Sequence, residues 1–298
     1  MRLRTGIRIT AGAAVLALGV ATIIALAIAT SGGETVGADA PAVPTHSSVP
    51  TVSAAPYVAP TAVEVAELPE AKYNAVIPDL IAYAVASAPE EAATAYTLAF
   101  DTAIYGADRN EPVARFDAIN FLGDKSVIVP VAFTGDWALV LTPARRALPS
   151  AAPGNAPAQT AGWVRADRLT KSHSLTQRIN VSVKDQTLTI VDATGAVTAS
   201  FSVGVGTSST PTPTGVTGYI QARYLDPVQG QRTYPIQLSS LHSATADEPY
   251  GGDDGGLIGV HYYFSSNGAV SHGCIRLPTD AITAVNQLPV GTLISITD

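Results

Sequence analysis

The chain is poor in several groups that binding proteins commonly use. Of its 298 residues only 14% are charged, Lys and Arg number 17 against 24 Asp and Glu, and cysteine occurs once. A formal charge of −7 offers no basic surface to a polyphosphate, which excludes nucleic acid as a partner. One cysteine, Cys274, makes no internal disulfide and builds no Cys-rich zinc or iron–sulfur site. Wholesale disorder is excluded too, because 47% of the residues are apolar, and the length suits about two ordinary domains.

Charge is also missing from Ile9 to Gly33, a run preceded by Arg2, Arg4 and Arg8 and followed by the first carboxylate, Glu34. A cleavable signal has an apolar core of roughly 7 to 15 residues and a spanning helix needs roughly 20. Residues 9–30 therefore read as a retained transmembrane anchor, with residues 1–8 as a basic cytoplasmic tail. Ala27-Ile28-Ala29 keeps a cleaved signal, and hence a secreted product, as the alternative. Either route places the rest on the extracellular or cell-wall side of a membrane. Taking those three Arg from the 17 basic residues leaves 14 against 24 acidic ones, a formal charge of −10. Exported cysteines are normally paired, so an unpaired one calls for a chemical role.

Residues 31–62 are rich in Pro, Ala, Ser and Thr, with Pro41, Pro44, Pro50, Pro56 and Pro60, and form a semi-extended linker. Residues 63–95 form a partly helical connecting segment. Within it Val76, Ile77, Leu80, Ile81, Ala84 and Val85 have helical spacing, which predicts a short helix around Asp79 to Ser87. From 96 to 172 the chain gives short β-rich runs, Thr97–Tyr105, Val113–Phe116, Ser126–Phe133, Trp137–Leu141 and Gly162–Val164, whose spacing suits a small barrel. The phrases Gly135-Asp136-Trp137 and Gly162-Trp163-Val164-Arg165 in that stretch resemble bacterial SH3-like modules found beside cell-wall enzymes. Trp137 and Trp163 read first as core residues, with a ligand groove as the alternative. The loop Pro149 to Thr160 is longer than such a barrel needs.

Residues 177–298 alternate with period two, as in Val181, Val183, Leu188, Ile190, Phe201, Val203 and Val205, and predict antiparallel strands with a turn at Asp192-Ala193-Thr194-Gly195. Leu257 to Phe264 reads as a strand, Thr279 to Leu288 as a helix behind a Thr-Asp cap, and Thr292 to Ile296 as a closing strand. The fold class is mainly β.

Chemistry concentrates in Ser271-His272-Gly273-Cys274-Ile275-Arg276-Leu277, with His261 thirteen positions before the cysteine. A thiol of ordinary pKa near 8.5 is mostly protonated at neutral pH, so nucleophilic use needs an adjacent base or cation, and histidine supplies both. Gly273 permits close backbone approach, and neighbouring amides can point at an oxyanion. Residues 255–279 contain no Asp or Glu, so a backbone carbonyl is the expected partner of the base. His261, His272 and Cys274 lack a fourth ligand at sensible spacing, so neither a metal nor another cofactor is expected. The acidic, glycine-rich stretch His242 to Gly256 reads as a solvated loop or as a lid over the site.

Ser271-His272-Gly273-Cys274, the upstream His261 and the phrase Thr210-Pro211-Thr212-Pro213-Thr214-Gly215 together resemble the L,D-transpeptidases of the YkuD family over roughly Gln177 to Asp298. The resemblance implies a β-sandwich with one or two helices. It makes Cys274 the acylated nucleophile, His261 the general base, and Ser271, His272 and Gly273 the loop that shapes an oxyanion hole with the Cys274 amide. Arg276 and Tyr262 fall at substrate-binding positions. The family commonly has Gly or Ser after the base histidine where this chain has Tyr262, and His242 is the rival base. The implied reaction is 3→3 cross-linking of peptidoglycan stem peptides through a cysteinyl thioester with release of D-alanine, and carbapenems are the implied inhibitors. A Cys/His carboxypeptidase or endopeptidase, or a non-enzymatic wall-binding protein, is the alternative.

Overall fold

The computed structural model describes residues 57–89, 92–252 and 254–298; the predicted tail, the anchor and most of the linker lie outside them. Among the described residues no helix is long and apolar enough to cross a membrane.

The first half opens with α1 (Ala62–Glu67), started by a capping box in which Thr61 and Glu64 satisfy each other's backbone amides. The helix predicted around Asp79 to Ser87 is absent. Ile81–Ala82 instead forms β1, with Ile81 opposite Ala161, while Ile77 and Leu80 are buried beneath it. Pro78 and Pro89 flank a stretch too short to repay helix nucleation, and pairing with a neighbouring strand satisfies the backbone instead. β2 (Thr94–Leu98) and β3 (Thr102–Tyr105) divide what looked like one strand, and β4 (Pro112–Phe116), β5 (Pro130–Thr134), β6 (Trp137–Thr142), β7 (Thr160–Arg165) and β8 (Leu169–Ser174) follow. β1 and β3 to β7 make a six-stranded antiparallel sheet ordered β4-β3-β7-β6-β5, with β1 on β7; β2 and β8 form a separate ribbon. Both pack on one core that contains Leu98, Ile104, Phe116, Ile128, Val140 and Val164. Trp137 and Trp163 lie only partly in the interior. The Arg109 guanidinium sits 4.8 Å from the Trp163 ring centre, and that of Arg165 sits 5.4 Å from Trp137.

The second half holds β9 (Gln177–Ser182), β10 (Thr187–Asp192), β11 (Val197–Ser202), β12 (Gly204–Gly206), β13 (Val216–Asp226), β14 (Gln231–His242), β15 (Leu257–Tyr262), β16 (Gly268–Ser271), β17 (Ile275–Leu277), α2 (Thr279–Val285) and β18 (Leu293–Thr297). The hydrogen-bonded order is β11-β10-β9-β18-β13-β14-β15-β17-β12-β16. This sheet is mixed rather than antiparallel, because β9 with β18, β15 with β17 and β12 with β16 run parallel. The long β13 joins its two parts, which close on a common core with Ile179, Leu188, Val205, Leu241, Val260 and Ile275, together with Ile282 and Val285 of α2. The Thr-Asp cap is not formed: Pro278 occupies the N-cap and Asp280 lies in the first turn.

No independent linker separates the halves. Leu141 and Ala161 share a buried cluster with Leu175, Tyr219 and Leu293. The loop that looked too long is the seam: Gln159 Oε1 accepts from Ser240 Oγ at 2.6 Å, and the His242 amide donates to the Ala158 carbonyl at 2.9 Å. His242 is fully buried at the end of β14, and its Nε2 donates to the Tyr73 carbonyl at 2.8 Å. Burial pushes its pKa down to about 3, with a smaller contribution from Arg145, so the ring is neutral.

That buried neutral imidazole sets an acid limit on stability. The unfolded chain binds a proton at His242 below about pH 6.5 that the folded chain refuses until pH 3, so stability is lost as pH falls through that window. The expected loss is up to about 1.4 kcal/mol per pH unit in urea unfolding, and His242→Gln flattens the dependence. An equally steep dependence in that variant overturns the assignment.

Candidate active site

Alternation along β15 and β17 decides what faces the cleft. Ile258, Val260, Ile275 and Leu277 enter the core, which turns Gly259, His261, Cys274 and Arg276 to the other face. Val260 lies opposite Ile275 and His261 opposite Arg276 in the parallel register, so the thiol and the imidazole come from neighbouring strands. A Cβ placed on Gly259 lies 3.6 Å from Cys274 Sγ and 3.9 Å from His261 Cδ2, so the absent side chain leaves the space between them open.

The loop before the cysteine is held from both sides. Ser271, buried, donates from Oγ to the Cys274 carbonyl at 2.5 Å and accepts the Gly273 amide at 3.2 Å. Thr212 Oγ1 donates to the Gly273 carbonyl at 2.7 Å while accepting the Gly206 amide at 2.8 Å, and Thr210 Oγ1 donates to the Ser271 carbonyl at 3.3 Å. The Thr-Pro phrase is thus the buttress of the cysteine loop. Gly273 has φ 116°, which only glycine adopts without strain, and a Cβ there would press on Ile258 at 3.1 Å. His272 is exposed, its ring 5.3 Å from that of Tyr250.

His261 Nδ1 faces the Tyr262 carbonyl at 2.9 Å, and Gln231 Nε2 donates to the same carbonyl at 3.0 Å. A backbone carbonyl therefore orients the ring, and Tyr262 serves as well as a smaller residue because only its main chain is used. With the proton on Nδ1, Nε2 carries the lone pair. Burial lowers the His261 pKa, the Tyr262 bond opposes that, and Arg276 lowers it further. Cys274 is buried, and desolvation raises its thiol pKa. Hydrogen bonds from Tyr250 and from the Gly259 amide, the latter 3.3 Å from Sγ, work in the opposite direction. Arg276 stacks over Tyr263 with its guanidinium carbon 4.1 Å from the ring centre, and its buried Nε has no protein partner.

Sequence reading missed Tyr250 and Gln231, which line the cleft with Cys274, His261, His272 and Arg276 and which nothing in their local spacing marks; Asp254, from the acidic stretch read as a solvated loop or a lid, lines it too. The acidic stretch is neither a purely solvated loop nor an unanchored lid. Asp247 accepts from the Ser150 amide at 2.9 Å and from its hydroxyl at 2.5 Å, and Glu248 accepts the Gly255 amide at 3.0 Å. Fully buried Arg145 donates to the Ala246 carbonyl at 3.3 Å. This pinned loop carries Tyr250 to the sulfur and Asp254 to the cleft, where its charge raises the thiol pKa. Tyr262 contributes its carbonyl to the site, while its ring packs on Tyr234 at 5.1 Å. His242 serves the seam and not the thiol.

Residues 176–296 match the family model of the YkuD L,D-transpeptidase catalytic domain. Among solved structures, an L,D-transpeptidase from Mycobacterium smegmatis is 18% identical, with 58% of this chain and 91% of that chain covered and a TM-score of 0.33. One from Mycobacterium tuberculosis H37Rv is 13% identical over 58% and 90%, with a TM-score of 0.34. A mutant L,D-transpeptidase from Enterococcus faecium is 19% identical over 41% and 49%, with a TM-score of 0.29, so the match spans about half of that protein's length. Likenesses this distant add no weight to the family match. No curated protein matches the chain.

Two variants test the geometry. Gly259→Ala fits at ordinary contact distance but fills the gap between thiol and base. Its melting temperature is expected to stay within a few degrees, while reaction of Cys274 with an acyl donor slows about 100-fold; an unaltered rate shows that the two groups do not meet there. Tyr250→Phe removes a bond that opposes the rise in thiol pKa, so the pH midpoint for iodoacetamide alkylation moves higher. An unmoved or lower midpoint contradicts that role.

Proposed function

We propose that residues 177–298 are a peptidoglycan L,D-transpeptidase that forms 3→3 cross-links through a Cys274 thioester. One observation carries it: a neutral imidazole oriented by a main-chain carbonyl faces, across a glycine, the chain's one thiol, inside a segment that matches that family. His261 Nε2 takes the thiol proton as sulfur attacks the carbonyl of the third stem residue. The tetrahedral oxyanion is met by the Cys274 amide, while the Gly273 amide, bonded to Ser271 at 3.2 Å, holds the loop that presents it. Collapse breaks the amide C–N bond, and the imidazolium returns its proton to departing D-alanine. An acceptor amine then attacks the thioester, passes a proton to His261 and expels the thiol. Water in place of the amine makes the same site a carboxypeptidase.

The cleft suits a substrate with both charges. Arg276 offers a guanidinium for a carboxylate and Asp254 a carboxylate for an ammonium group. In the same reading the N-terminal apolar run anchors the protein in the membrane with this site on the wall side, and residues 96–172 are an SH3-like module.

Intact-mass measurement after incubation with a carbapenem is expected to show one adduct on Cys274, absent in Cys274→Ala, which folds with unchanged melting temperature. A wild-type protein that takes no adduct overturns the reading. The acid limb of the acylation rate is expected below pH 6.5, because burial lowers the His261 pKa from that value. A limb above pH 7 in the pH–rate profile contradicts His261 as the base.

A further inference from the structure

The cleft extends well beyond the thiol. Its volume is about 860 Å³, toward the upper end of the ~300–1,000 Å³ of small-molecule sites. Its thiol end is polar, with His272, Asp254 and Arg276, while its far end is aromatic and draws on the first half of the chain through Tyr73 and Phe121. These two rings meet edge to face with centroids 5.0 Å apart.

Both aromatics are held in place. The Tyr73 carbonyl is clamped by buried His242, and its ring packs against Ala222, Leu238 and Leu257 of the catalytic half. Phe121 sits at the tip of a turn built by Asn120. The Asn120 side chain accepts the Leu122 and Asp124 amides at 2.9 and 3.1 Å, its own amide donates to the Asp124 carbonyl at 2.8 Å, and Gly123 supplies the positive φ of 87°. The turn holds Phe121 at 44% exposure beside Ile119 at 51% and Leu122 at 38%. A hydrogen-bonded turn that fixes an aromatic ring at the far end of the cleft loses little further ordering entropy when a ligand packs on it.

We propose that Tyr73 and Phe121 form a distal subsite for an extended peptidyl acyl donor, so that the N-terminal module is part of the substrate site. The inference rests on the acyl-transfer reading above. Its occupant follows from continuity with the cleft. A donor whose carbonyl lies at Cys274 and whose chain runs on for several residues reaches the aromatic wall. A small acylating agent fills only the thiol end.

The test compares two donors on the full-length chain with Phe121→Ala and Phe121→Trp, a tip position whose change leaves the core untouched. For a tetrapeptide muropeptide donor, Phe121→Ala is expected to raise KM about tenfold with kcat within twofold, and Phe121→Trp to stay near wild type. The ratio of kcat/KM on that donor to the second-order rate of carbapenem acylation then falls about tenfold. An unchanged ratio in the alanine variant overturns the subsite, whether because neither rate moves or because both fall together. If the wild type is not acylated by the carbapenem at all, the acyl-transfer reading fails instead.

Discussion

The register of two short parallel strands governs the rest. β15 and β17 pair with Val260 opposite Ile275, and their alternate residues Ile258, Val260, Ile275 and Leu277 are almost fully buried. Because the side-chain period is two, that apolar set fixes where Gly259, His261, Cys274 and Arg276 point, and a slip of one residue would drive the histidine and arginine into the core. The cost of such a slip is several buried aliphatic side chains, each contributing about 1.5–3 kcal/mol. The placing of thiol and imidazole is thus secured by packing on the far side of the sheet. The Thr212 and Ser271 hydrogen bonds then set the loop between the strands.

Burial shapes the reactivity of the site as well as its shape. Desolvation disfavours charge on both partners, raising the thiol and lowering the imidazole, so the resting pair is neutral. An ion pair preformed in the resting state would have to overcome both penalties. The Tyr250 and Gly259 bonds and the Arg276 charge favour a thiolate, while Asp254 opposes it. In the proposed reaction charge develops as the proton moves, where the oriented Tyr262 carbonyl can stabilise an imidazolium. The acidic surplus of the chain offers no help at long range, and the favourable groups all lie within the cleft.

What the sequence made legible was whatever is local. The Ser-His-Gly-Cys loop, His261 on its strand, the Asp192–Gly195 turn and the closing strand rest on patterns of a few residues, and the structure places each where those patterns put it. The helix expected at Asp79 to Ser87 failed because only Ile77 and Leu80 of the six apolar residues at helical spacing are buried, and Ile81 found a partner in Ala161, eighty positions away. Parallel pairing was invisible for the same reason, since alternation reports a strand and says nothing of its neighbour's direction. His242 and Tyr262 show the limit differently: residue type suggested a base and a departure from pattern, whereas burial and a main-chain carbonyl decided their roles. Tyr250 and Gln231 were out of reach, because their work depends on long-range register and loop course.

The boundary between 172 and 177 separates two stretches of sequence more than two functional units. Ser150 and Arg145, from the first half, hold the loop that brings Tyr250 to the thiol, and Tyr73 and Phe121 line the same cleft. Arg145 is fully buried, and two of its nitrogens have no hydrogen-bond partner. Burial lowers its pKa, while the charges of Glu248, Asp247 and Asp254 oppose that shift. A buried guanidinium so incompletely bonded is costly as a packing element. It is better understood as the counter-charge that keeps an acidic loop folded against the first half. Glu248 complements it: burial and a hydrogen bond with Asp254 raise its pKa, and its carboxyl group holds the Gly255 amide within the loop. The second half supplies the thiol and the imidazole, and the first half supplies the hydrogen bonds that hold the loop carrying Tyr250 in place.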